Sequence, residues 1–100
     1  MKKIINGKKY DTDTAKFLLE WGNGHTGFSY CHEELYRKKT GEYFLYGSGG
    51  AMSKYARSCG DNCQAGGSEI IPLTEAKARE LVEKHADADE YEEIFGEVEE

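Results

Sequence analysis

Cys59 and Cys63, three residues apart in a glycine-rich stretch, are half of the set that a tetrahedral zinc site would take, with Cys31 as the candidate third ligand. A fourth would have to come from His25 or a carboxylate. Cys31 and His32 are adjacent and point to opposite faces of a strand, so only one of them would join. The expectation is therefore three thiols and no required cofactor, with Cys31, Cys59 and Cys63 as the zinc candidates. A Cys/His nucleophile pair drawn from Cys59 or Cys63 with His25, His32 or His85 lacks the local signature that would set a thiolate beside a base at a helix start. Gly47-Ser48-Gly49-Gly50 lacks the Gly-Lys-Ser/Thr of a phosphate loop. Nothing in the chain demands an enzyme, and a binder is expected.

Charge points the same way. The net charge is −6, and residues 75–100 hold eleven Asp/Glu against three Lys/Arg, whereas residues 1–74 hold eight against ten. An acidic C-terminal quarter disfavours independent binding to nucleic acid or an anionic membrane and favours a basic partner surface. The exception is a basic and aromatic neighbourhood. Tyr36, Tyr43, Phe44, Tyr46 and Tyr55 lie near Arg37, Lys38, Lys39, Lys54 and Arg57 in sequence, the composition of a single-strand stacking platform. The plainer reading makes these aromatics sheet core.

The elements that would position these groups follow from pattern. One hundred residues allow one domain, spanning 1–100. No apolar run of about 18 residues is present to cross a bilayer, and the start is too short for a signal peptide, so a cytoplasmic location is expected. Asn6-Gly7 predicts a tight N-terminal hairpin. Asp11 or Thr12 is expected to cap a turn of helix through Thr14 to Lys16. Phe17 to Trp21 fits helical or strand spacing, and the strand is favoured because another candidate strand follows. Phe28 to Lys38 alternates, with His32, Glu34 and Tyr36 on one face and Cys31, Glu33 and Leu35 on the other. It turns at Lys39-Thr40-Gly41 and returns as Glu42 to Tyr46, where Gly47 to Gly50 ends the hairpin. Residues 51–67 form a long connection of unassigned shape, and Glu69 to Ile71 is a short strand stopping at Pro72.

Thr74 is a good helix N-cap, and Ala78, Leu81, Val82 and His85 form one stripe. Asp87 or Asp89 starts a second helix with Tyr91, Ile94, Phe95 and Val98 on its stripe. The fold class is α+β: a small antiparallel meander of three to four strands over residues 1–73, followed by two C-terminal helices over 74–97. Their outer face carries Glu80, Glu83, Glu90, Glu92, Glu93 and Glu97, the candidate contacts to a partner.

Four stretches, Lys2 to Lys16, Glu34 to Gly50, Ser68 to Glu80 and Asp87 to Glu97, resemble short proteins of Gram-positive mobile genetic elements, some described as type II-A anti-CRISPR proteins. YRKKTGEYFLYG, Tyr36 to Gly47, is the most specific part of the resemblance. The resemblance implies a phage- or plasmid-borne inhibitor that binds Cas9, or the Cas9–guide RNA complex, in the bacterial cytoplasm and blocks target DNA binding or cleavage. Cas9 channels are basic, so an acidic helical face can compete for their arginines and lysines. The alternative function is a nucleic-acid-binding or regulatory module that uses the basic hairpin residues.

Overall fold

Asn6 and Gly7 take positive φ, 51° and 78°, as a two-residue type I′ turn demands, and they join β1 (Lys2–Ile5) to β2 (Lys8–Asp11) with Ile5 opposite Lys8. This computed structural model describes residues 1–61 and 63–96. The expected turn of helix after Asp11 is a single α-type turn that goes no further, since Lys16 is already extended. Asp11 Oδ1 accepts from the Asp13 N–H at 2.9 Å and its carbonyl from the Ala15 N–H at 3.1 Å, closing a turn before Lys16 enters a strand.

That strand is β3 (Lys16–Gly22), so Phe17 to Trp21 is extended, with a bulge between Phe17 and Leu19. β4 (Cys31–Arg37) begins later than its alternation suggested, because Gly27, at φ 70°, opens a 3-10 turn over Gly27–Ser29. β5 (Tyr43–Gly49) runs three residues past Tyr46. Gly47 and Gly49 belong to the strand, opposite Glu33 and Cys31 of β4, and are bare because side chains from the next loop press on them: a Cβ at Gly47 would lie 2.0 Å from Tyr55, and one at Gly49 2.1 Å from Ser53 Oγ.

The long connection folds into a small exposed hairpin, β6 (Arg57–Gly60) and β7 (Cys63–Ala65). It corrects the reading of three thiols. Cys59 and Cys63 have Cα atoms 5.1 Å apart and form a disulfide, leaving Cys31 as the free thiol. β8 (Gly67–Leu73) then pairs with β5 at the sheet edge, in the order β3-β4-β5-β8, all antiparallel. Pro72 sits inside β8 rather than ending it, and an edge strand tolerates its missing N–H.

Both helix caps are as expected. Thr74 accepts from the Lys77 N–H at the start of α1 (Glu75–His85), and Asp87 accepts from the Glu90 N–H at the start of α2 (Ala88–Phe95). Val98 lies outside the described residues. The sheet has a layer on each face. Leu19, Leu35 and Tyr43 pack against Ala78 and Val82 of α1 and against Tyr91, Ile94 and Phe95 of α2. On the other face Tyr36, Phe44 and Ile70 pack against Tyr10 and Ile5 of the N-terminal hairpin. Leu35, Phe44, Ile70 and Val82 are fully buried, each contributing about 1.5–3 kcal/mol of apolar transfer. No described helix is long and apolar enough to cross a membrane.

Candidate functional site

The apolar stripes of α1 and α2 face the sheet, so the residues between them face outward. Glu80, Glu83, Glu90, Glu92 and Glu93 are all exposed, and Glu97 lies outside the described residues. Glu80 lies 3.5 Å from Lys77 and Glu75 3.5 Å from Arg79. Exposed pairs of this kind contribute about 0–1 kcal/mol, so a partner's cation can displace them. Arg79 does more for the fold: its guanidinium lies 4.6 Å from the centre of the Phe95 ring and donates to Tyr91 Oη at 3.3 Å, tying α1 to α2. Glu90 and Glu93 border a shallow cleft of about 130 Å³ shared with Lys16 and Arg37.

The basic and aromatic neighbourhood is arranged differently. Tyr36, Tyr43, Phe44 and Tyr55 are buried, so none of the four offers a ring for base stacking. Lys38 lies 3.5 Å from Glu42 and over the Tyr10 ring, Arg57 donates to the Ser68 carbonyl at 2.7 Å, and Lys54 lies 2.9 Å from Glu33 Oε2.

Glu33 is the residue that sequence reasoning passed over. Alternation puts it on the same face as Leu35, so a carboxylate enters the helix-side layer, and that was the available signal. It is the one buried charged residue among those described. Trp21 Nε1 donates to Oε1 at 3.0 Å, Tyr55 Oη donates to Oε2, and the Lys54 ammonium completes the set. Burial alone would raise the Glu33 pKa. The hydrogen bonds from Tyr55, Lys54 and Trp21 outweigh it and hold the carboxyl below its usual range. Burial and the bond to Glu33 push the Tyr55 phenol up. Trp21 stacks on His85, ring centroids 4.1 Å apart and planes within 4°, and burial lowers the His85 pKa.

A cavity of about 550 Å³ opens beside this cluster, lined in part by Trp21, Asn23, Cys31, Lys54 and His85. Its chemistry is quiet. Burial first, and Glu33 second, raise the Cys31 pKa, the opposite of what activates a nucleophile. Both Glu33 oxygens are already engaged. Cys59 and Cys63, the other thiol candidates, are consumed by their disulfide and offer neither a nucleophile nor zinc thiolates in this state.

No family model, curated protein or solved structure matches the chain. Function rests on the residues themselves.

The Glu33 cluster holds the loop of residues 51–56 onto the sheet, and Gly47 is its weak point. Gly47→Ala forces the buried Tyr55 ring off its seat and away from Glu33. Urea denaturation should show a loss of about 1–3 kcal/mol from overpacking. A change within about 0.5 kcal/mol, the range of an ordinary surface substitution, would contradict the packing of Tyr55 on β5.

Proposed function

We propose that the chain is a non-catalytic inhibitor whose acidic helical face docks on the basic nucleic-acid channel of Cas9, or of the Cas9–guide RNA complex, and blocks target DNA binding or cleavage. The observation that carries this reading is the contrast in exposure. The glutamates of α1 and α2 are exposed, whereas four of the aromatic groups that a nucleic-acid platform would use are buried. The resemblance of Glu34 to Gly50 and of Asp87 to Glu97 to anti-CRISPR proteins supplies the identity of the partner.

An acidic binder needs no active site. Such a partner places the protein in the bacterial cytoplasm, where thiols are kept reduced. There the Cys59–Cys63 bond would be reduced, and the core does not depend on it, because every described residue of β6 and β7 is exposed and neither strand contributes to either core cluster.

The test is a cleavage assay with the quadruple variant Glu80→Lys, Glu83→Lys, Glu90→Lys and Glu93→Lys. These side chains are exposed, so circular dichroism should match the parent. If each reversal costs about 0.5–1 kcal/mol of binding, the concentration needed for half inhibition should rise by about 10²-fold. Inhibition at the parent's concentration would contradict the acidic-face reading.

A further inference from the structure

Strand pairing sets Glu20 of β3 directly opposite Glu34 of β4. Like charges in that relation destabilise a sheet unless a cation lies between them. His32, two residues before Glu34, shares its face. Its Nε2 lies 3.4 Å from Glu34 Oε2 and 3.8 Å from Glu20 Oε2, and one ligand atom from each of the three residues lies within 4.8 Å of the other two. The remaining oxygen of Glu34, Oε1, accepts from Tyr36 Oη at 2.5 Å, which turns Oε2 towards His32.

We propose that Glu20, His32 and Glu34 form a binding site for one divalent first-row transition cation of the zinc type. One imidazole nitrogen and two carboxylate oxygens are a donor set that zinc accepts. Ligand atoms about 2.0–2.2 Å from a tetrahedral zinc lie about 3.3–3.5 Å from one another, so the His32–Glu34 spacing already fits. The Glu20 side chain, 58% exposed and flexible, closes the remaining distance. Tyr36 serves as the outer partner that orients a ligating carboxylate. With three protein ligands on an open sheet face, the fourth position is left to water.

The site lies on the face opposite α1 and α2, since Glu34 and Tyr36 point away from Leu35 and its helix-side layer. It is independent of the acidic helical face and of the two disulfide cysteines.

The experiment is isothermal titration of the full, oxidised chain with zinc chloride, its disulfide verified by mass, beside His32→Gln and Glu20→Gln. The parent should bind one zinc per chain, and each variant should bind at least tenfold more weakly. Zinc should also raise the melting temperature of the parent and leave that of His32→Gln unchanged. No binding by the parent at about 100 μM zinc, or a loss below tenfold in both variants, would overturn the site. Both substituted side chains are at the surface, and circular dichroism confirms that each variant is folded.

Discussion

Glu33→Ala is expected to cost about 2–4 kcal/mol of stability, although Glu33 belongs to neither apolar core cluster. Removing the carboxylate leaves Trp21 Nε1 and Tyr55 Oη without an acceptor in a part-buried setting, and each orphaned donor costs about 1–3 kcal/mol. Lys54 is 62% exposed and returns to water at little cost. Glu33→Gln keeps one acceptor oxygen and should lose roughly half as much. The carboxyl also sets a pH dependence. Because its folded pKa lies below the ordinary value of 4.5, the folded state favours the ionised form. That stabilisation is complete above the unfolded pKa and is lost as pH falls through the lower, folded one. Urea midpoints of the parent should therefore fall in that acid window, and those of Glu33→Gln should fall less. Equal acid sensitivity would contradict the assignment.

Phe44→Ala should cost about 3–5 kcal/mol, a large part of what a domain of this size has in reserve. Phe44 is fully buried, stacked on Tyr36 at 5.3 Å and edge-on to Tyr10 at 5.5 Å. It is the centre of the contact between the sheet and the N-terminal hairpin. Truncation leaves a cavity between the sheet and the β1-β2 ribbon, whose remaining apolar contacts run from Tyr10 and Ile5 to Tyr36 and Ile70. Amide exchange should then accelerate across β1 and β2 before the rest of the molecule. A cost below about 1 kcal/mol would mean that the hairpin is not held by this layer.

Elements governed by local rules were legible in the sequence. Asn6-Gly7 named its turn, Thr74 and Asp87 named their helix starts, and the stripes through Ala78 and Val82 and through Tyr91 and Ile94 chose their faces. What escaped depends on contacts between distant residues. Gly47 and Gly49 read as a hairpin exit because the side chains that need their bareness, Tyr55 and Ser53, arrive from the next loop. Glu33 read as one alternating position among several because its donors come from β3 and from residues 54 and 55. The Cys59–Cys63 bond follows from a hairpin whose turn composition, Gly60-Asp61, read only as part of a long glycine-rich connection. Glu20 and Glu34 were placed opposite each other by a register that the bulge after Phe17 sets. For the candidate interface, five of the six glutamates were legible as exposed, since helical spacing fixes which side of a packed helix faces water.

The proposed inhibition of Cas9 by this acidic domain is tested most directly by a cleavage assay with timed addition. The protein is added to a type II-A Cas9 before guide RNA, after guide RNA, or after target DNA. Inhibition is expected in at least the first two orders, and about 10²-fold more protein should be needed when the α1 and α2 glutamates are reversed. Undiminished cleavage in every order, across several type II-A orthologues, would contradict it.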